Sequence, residues 1–335
     1  MEIEGRKKGE MAVPSEKGIA RGAGNAVIHK KSIWKKAAQR WQLYLFLLIP
    51  VVYLIIFCYW PMAGVQIAFR KYKIRLGIWG SQWVGWYQFE KFFTSFYFGR
   101  VLGNTLRLSL YSLIVGFPLP VIFALQLNAM RSAKGRKFIQ TVTYMPHFIS
   151  TVVMVGIINQ MLNPTFGIYG RIFRMLYGGN ATPPNLLLSS AAFPHIYVLS
   201  GVWQGLGWST IIYTAALSAV DPSLHEAATI DGANRLQRIV HVDFPAILPT
   251  VSITLILRFG GIMGIGFEKT YLLQNGANLV TSEVIATYVY KQAFDSSNMD
   301  YSYATAIGLF NSVIGLFMLA LVNWISRKVS DSSLW

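Results

Sequence analysis

Six stretches of this chain, roughly residues 43–69, 101–127, 138–162, 193–217, 247–268 and 303–325, are predominantly apolar over more than twenty positions each. About 20 apolar residues in helix cross the ~30 Å hydrocarbon core of a bilayer. Inside that core no water is available to satisfy backbone N–H and C=O groups, and a helix satisfies its own. The pattern therefore predicts an all-α, polytopic membrane protein with six transmembrane helices. Composition agrees, with 53% of residues in the set AVILMFWYC and only 13% charged, about half the charge of a soluble domain. An ordinary soluble enzyme is excluded, because too few polar residues remain to cover a core.

The chain carries 30 Lys and Arg against 14 Asp and Glu, a net charge of +16. Such an excess would suit a nucleic-acid binder if it were spread over one face. Instead, ten basic residues (Arg6, Lys7, Lys8, Lys17, Arg21, Lys30, Lys31, Lys35, Lys36, Arg40) lie directly before the first apolar stretch. That is the positive-inside signature of a cytoplasmic end. With six spans and the N-terminus inside, the cytoplasmic segments hold 18 basic residues and the external loops 10. The short loop 128–137, with Arg131, Lys134, Arg136 and Lys137, anchors this orientation. Arg70, Lys71, Lys73 and Arg75, just after the first span, run against it. The expected organisation is a basic, flexible cytoplasmic tail over 1–41, a six-helix domain over 42–328 with a cytoplasmic loop at 218–246, and a short cytoplasmic tail over 329–335. Trp34, Lys35, Lys36, Arg40 and Trp41 also suit a short interfacial helix.

Prolines fall within the spans at Pro50, Pro61, Pro118, Pro120 and Pro146. Each removes a backbone donor and kinks its helix, which suits a molecule that moves and equally suits irregular packing. Catalytic signatures are missing. The five histidines (His29, His147, His195, His225, His241) show no metal-ligand spacing, and the nearest approach to a phosphate loop, Gly264–Thr270, has Glu268 where a glycine is required. Cys58 is the single cysteine, so no intrachain disulfide forms, and Phe57 before it argues against a cleaved lipoprotein signal.

The segment Asp221–Pro249, DPSLHEAATIDGANRLQRIVHVDFPAILP, is too polar to cross a membrane. Asp221 and Pro222 read as N-cap and first helical position, and Leu224, Ala227 and Ala228 give a small apolar face. Gly232 suits a left-handed helix end. A second helix then runs from Ala233, with Leu236, Ile239, Val240 and Phe244 on one side, until Pro245 stops it. The result is a helix, glycine turn, helix unit on the cytoplasmic surface with Glu226 and Asp231 available to a partner.

At this point the chain resembles the membrane-spanning subunits of binding-protein-dependent ABC importers. Their cytoplasmic signature is Glu-Ala-Ala, three residues, Gly, nine residues, then Ile-x-Leu-Pro, and Glu226, Ala227, Ala228, Gly232, Val242, Phe244 and Pro245 stand at that spacing. Val242 and Phe244 replace Ile and Leu. Val84-Gly85, Asn104-Thr105-Leu106 and Met145–Ser150 are similar to sugar-importing members, and Gly266–Asn275, Ser282–Lys291 and Tyr301–Ser312 to the oligosaccharide branch that takes aldouronate or polysaccharide fragments. The resemblance extends over about residues 42–328.

That resemblance implies the type I importer permease fold in a bacterial inner membrane. The implied activity is import of an oligosaccharide, with no enzymatic chemistry in this chain. ATP and Mg would be bound by a partner, a cytoplasmic ABC ATPase dimer. A second permease, as a heterodimer, and an extracytoplasmic solute-binding protein complete the implied assembly, and no nucleic acid is involved. Glu226, Ala227, Ala228, Asp231, Gly232 and Pro245 would form the coupling element for the ATPase; an inert amphipathic connector is the duller reading. Substrate-pathway candidates are Asn159, Trp203, Gln204, Trp208, Arg258 and Asn311, chosen as planar polar or aromatic groups within spans, where packing is the competing explanation. Arg258 lies about eleven residues into its span, where an ionisable group usually faces a cavity or a partner. It would bind a uronate carboxylate, or pair with carbonyls or the second permease. Another solute, glycerol-phosphate-like or an amino acid, is the alternative substrate. A membrane-embedded enzyme would need a His, Asp or Glu constellation inside the spans, and a channel or secondary transporter more intramembrane carboxylates.

Overall fold

The computed structural model describes residues 40–295 and 299–329, so the expected tails lie outside the described residues apart from the last two positions of the first and Val329. The chain divides into two compact units, Met1–Met62 and Ala63–Trp335. In the first, helix α1 (Trp41–Leu54) contains Pro50 and passes into a π turn, Ile55–Tyr59. Its side chains are apolar and exposed along their length, as befits a segment whose solvent is lipid.

The second unit opens with a hairpin in which β1 (Arg70–Lys73) pairs antiparallel with β2 (Ser81–Trp83), Arg70 opposite Trp83. The Arg70 guanidinium donates to the carbonyls of Ser81 (2.8 Å) and Trp79 (3.3 Å) and lies 5.4 Å from the Trp83 ring. This charge, anomalous for orientation, is thus spent on the hairpin; Lys71, Lys73 and Arg75 stay exposed. Gly85, at φ +60°, turns the chain so that its N–H and that of Val84 both reach the Phe69 carbonyl.

Helices α2 (Tyr87–Phe93), α3 (Phe96–Gly116) and α4 (Pro118–Asn128) follow, with Pro118 and Pro120 starting α4 where their missing donors cost least. Helix α5 (Ala133–Tyr144) continues as the 3₁₀ turn Met145–Phe148, and the chain then bends by 102° at Ile149 and Ser150 into α6 (Thr151–Met161). Ser150 caps the new helix on Val153 N–H. Helix α7 (Ile168–Tyr177) precedes α8 (Phe193–Ser218), after which α9 (Pro222–Ile230), α10 (Arg235–Arg238) and α11 (Phe244–Gly260) form the loop and the following span. Short helices α12 (Phe267–Leu273), α13 (Leu279–Ser282) and α14 (Ile285–Tyr290) lead to α15 (Tyr301–Val329).

All six expected spans appear as helical segments, with differences. Among the described residues four helices are long and apolar enough to cross a membrane (Trp41–Phe69, Phe96–Asn128, Arg235–Gly260 and Tyr301–Lys328), and the bent α5–α6 pair adds a fifth when its two arms are counted as one span. Helix α8 has 26 residues, long enough to cross, and carries Ser200, Gln204, Ser209, Thr210 and Thr214 half-buried or buried. The fifth span ends at Gly260, not at residue 268: a turn at 261–263 breaks it, and α12 is a separate helix.

The core among the described residues is four clusters, the smallest made of Ala68, Phe89 and Ala306. Of the others, one joins Leu108 to Met154, Ile158, Tyr197, Leu273 and Val284, a second joins Phe92 and Val101 to Ile262, Tyr288, Tyr303 and Ile307, and the third joins Val121, Leu125, Tyr213, Leu217 and Ile247. Polar side chains sew the segment after α11 to α3. Asn104 donates to the carbonyls of Val280 and Glu283, Thr105 Oγ1 accepts from Ile285 N–H at 3.0 Å, and Glu283 pairs with Arg100 and Lys291. The Asn104-Thr105-Leu106 motif therefore has a packing role. Gly207 lets α8 lie against α5: a Cβ there would sit 2.2 Å from the Thr143 carbonyl oxygen. Gly207→Ala is expected to destabilise the folded protein by roughly 1–3 kcal/mol, as overpacking does, and Gly156→Ala, inside α6 where a Cβ meets nothing within 4 Å, to stabilise it by up to about 1 kcal/mol through the better helix propensity of Ala. Thermal unfolding in detergent checks both.

Candidate coupling loop and translocation cavity

The loop between α8 and α11 is built by local rules. The Asp221 carboxylate caps α9, accepting from Ser223 N–H at 2.9 Å, and bonds from Ser223 hold the carboxyl below the usual carboxylate range. Pro222 takes the first helical position. At the other end Gly232 stands at φ +77°. Its N–H reaches the Thr229 carbonyl, and Ala233 N–H reaches Ala228, the paired bonds of a Schellman ending. Asn234 then caps α10 reciprocally with Gln237, at 2.9 and 2.7 Å. This capping box was present in the sequence as Asn-x-x-Gln and was missed.

One expectation about the loop is corrected. Pro245 does not stop the second helix. The π turn Ile239–Asp243 shifts the hydrogen-bond register ahead of Pro245, so the chain passes its missing donor and continues as α11. The apolar side chains divide: Leu224 is 51% exposed, Leu236 68% and Ile230 87%, while Ile239 packs toward the core. Glu226, Ala227, Asp231, Gly232 and Pro245 are exposed and Ala228 half-buried. The unit presents an acid, small residues and uncovered apolar groups together.

What fixes this unit is a buried carboxylate. Asp243, 3% exposed, accepts from Asn128 Nδ2 at the end of α4 (3.1 Å) and lies 3.3 Å from His225 Nε2 on α9. Arg238 adds a bond to Thr229 Oγ1 at 3.1 Å. Helix α9, the end of α4 and the start of α11 are thereby joined at one point. In the loop sequence Asp243 is one acid among several, with nothing to mark this role.

Two adjoining, partly open cavities of about 190 and 260 Å³ share Ser112, Tyr197 and Arg258, the last of them exposed. Of the expected pathway residues, Gln204 and Arg258 meet here. Gln204 Nε2 donates to the Ile149 carbonyl at 2.9 Å and Arg258 to Ser209 Oγ at 3.2 Å. The others lie elsewhere. Trp203 lines a separate, almost wholly apolar cleft with Ile157, Met161 and Leu199, Trp208 stacks on His147 at 4.4 Å, and Asn311 holds the Met263 carbonyl beside the break after α11. Asn159 is exposed on α6. Lys269 also lines the larger cavity and was not singled out from the sequence. Among the described residues no three His, Cys, Asp or Glu side chains converge as a metal site.

A bundle of broken membrane helices around polar cavities, with a clamped Glu-Ala-Ala loop on its surface, defines the permease subunit of an ABC importer. Residues 116–331 match the family of binding-protein-dependent transport system inner membrane components, and the chain belongs to that family. It is 40% identical over 317 residues to the polygalacturonan/rhamnogalacturonan transport system permease protein YteP of Bacillus subtilis, covering 93% of this chain and 97% of that one. Protein LplB of the same organism is 39% identical over 304 residues, covering 90% and 94%. Among solved structures, a chain of a bacterial alginate ABC transporter in complex with an alginate pentasaccharide-bound periplasmic protein superposes with a TM-score of 0.82 at 35% identity, over 90% of this chain and 99% of that one. The fold is that of type I importer permeases, and the chain is a transport subunit, not an enzyme.

Removing the buried acceptor should loosen the loop. In Asp243→Ala, amide hydrogen exchange over 225–233 is expected to quicken by about tenfold, the equivalent of one buried hydrogen-bond partner left unsatisfied, with the exchange of α15 unchanged.

Proposed function

We propose that this chain forms half of a pore that carries an oligosaccharide or polysaccharide fragment across a bacterial inner membrane. A second, different permease supplies the other half, and an extracytoplasmic binding protein delivers the saccharide. A cytoplasmic ATPase dimer binds ATP and Mg, and its closure is the energy source. Residues 42–328 are the transport domain, with the loop 218–246 and both tails on the cytoplasmic side. The observation that carries this reading is the exposed surface of α9, which is joined through Asp243 to two membrane helices.

Each loop residue has a physical task. Glu226 offers a carboxylate for a charge-assisted bond to a basic residue of the ATPase. Ala227 and Ala228 permit close approach of that partner, and Leu224 and Ile230 supply apolar surface for it to cover. Gly232 sets the angle between α9 and α10, and Asp231 and Pro245 flank the bends. When the ATPase dimer closes, α9 is pushed, and the clamp passes the push to α4 and α11 as a rigid-body motion. The break after Gly260 and the 102° bend at Ile149 and Ser150 are the places where such motion is absorbed. Gln204 and Arg258 then face the passing saccharide, the one by hydrogen bonds and the other by charge. The saccharide class is supported by the named substrates of YteP and of the alginate transporter.

Glu226→Lys reverses the docking charge, and Gly232→Pro forbids φ +77°. Each is expected to abolish saccharide uptake and binding-protein-stimulated ATP hydrolysis in the reconstituted complex, while the chain still inserts in the membrane. Normal transport by either variant contradicts the assignment.

A further inference from the structure

Arg258 and Lys269 line the same cavity of about 260 Å³, and neither has an acidic partner. Among the described residues the ion pairs are Lys91–Asp300, Arg100–Glu283, His225–Asp243 and Lys291–Glu283. Glu268, next to Lys269 in the chain, is not within ion-pair distance of either cation, and no Asp or Glu lines the cavity. Arg258 is exposed at the last turn of α11 and Lys269 is half-buried, and two cations that share a cavity between membrane helices without an anion mark a ligand pathway.

The cavity is also shaped around the lysine. Lys269 Nζ donates to the Tyr197 carbonyl at 2.5 Å and sits 4.5 Å from the centre of the Tyr197 ring. Gly201 makes room for it, since a Cβ there would lie 3.0 Å from Nζ. An ammonium has three donors, and the Tyr197 carbonyl takes one of them. Arg258 uses a single bond, to Ser209, and keeps the rest of its planar fork, the geometry that matches a carboxylate. Gln204 spends its NH₂ on Ile149 and leaves its side-chain carbonyl for a sugar hydroxyl.

We propose that Arg258 and Lys269 form a cationic station in the translocation cavity that receives the carboxylates of an acidic oligosaccharide as it passes. This rests on the reading of the chain as an oligosaccharide permease and adds the charge of the substrate and a specificity residue, Lys269. The station selects in transit, after the binding protein has released its cargo.

The test uses the complete importer in proteoliposomes, with trigalacturonate as the acidic probe and α-1,4-galactotriose, in which each carboxylate is replaced by a hydroxymethyl group, as the neutral one. Wild-type complex is expected to import trigalacturonate. In Lys269→Met and Arg258→Met, trigalacturonate imported per ATP hydrolysed should fall by about tenfold, one charge-assisted hydrogen bond's worth. Lys269→Arg should retain most of it, because the charge is kept. Unaltered import per ATP in both methionine variants overturns the station, as does a Lys269→Arg variant as defective as Lys269→Met, which would mark the position as structural. Wild-type import of galactotriose alone overturns the station and leaves the permease reading standing. Import of neither saccharide overturns that reading.

Discussion

A membrane span has no water to complete its hydrogen bonds, and that constraint governs where this chain can be regular and where it can break. Its lipid-facing stretches, such as Trp41–Leu54, are continuous helix with exposed apolar side chains. Departures from helix are confined to places where other groups take up the freed donors and acceptors. The π turn at Ile239–Asp243 precedes Pro245, Asn311 holds the Met263 carbonyl after the break at Gly260, and Ser109 holds that of Ile262. The break after α11 therefore lies beside the cavities, while the exposed first span departs from α-helix only by the π turn Ile55–Tyr59 and the 3₁₀ helix Trp60–Phe69, which keep their backbone bonded internally. That break is a candidate hinge.

At the cytoplasmic end a single buried carboxylate turns a surface loop into a lever. Without Asp243, α9 would hang from α8 and α10 by its ends alone. With it, Asn128 from the second span and His225 from the loop meet at the start of the fifth. A force applied to the exposed face of α9 then reaches two membrane helices without first bending the loop. Gly232 contributes by ending α9 in a fully bonded turn, so the angle to α10 is fixed by hydrogen bonds as well as by sterics.

Much of this was legible in the sequence, and the rest was hidden for identifiable reasons. Span positions followed from apolar length, and Asp221, Pro222 and Gly232 do what their residue types require. Pro245 was misread because a π turn upstream accommodates it, and a single-residue change of register leaves no signature in apolar periodicity. Asp243 was visible as an acid but not as a clamp, since Asn128 lies 115 positions away. Among the pathway candidates, residue type could not say which side of α8 each would occupy: Gln204 reaches the cavity, while its neighbour Trp203 lines another cleft. Lys269 was obscured because its direction depends on the break after Gly260, which turns α12 back toward Tyr197.

The central claim is that the loop and the start of the fifth span move as one body when the ATPase closes. Spin labels at Thr229→Cys and Ala246→Cys, in a chain whose Cys58 is replaced, measure this directly in the assembled importer. The account predicts the same narrow distance distribution in the nucleotide-free and ATP-bound states, and broadening when Asp243→Ala is added. A distance that changes on ATP binding in the otherwise unaltered chain would show the loop moving independently of the helix and would contradict the account.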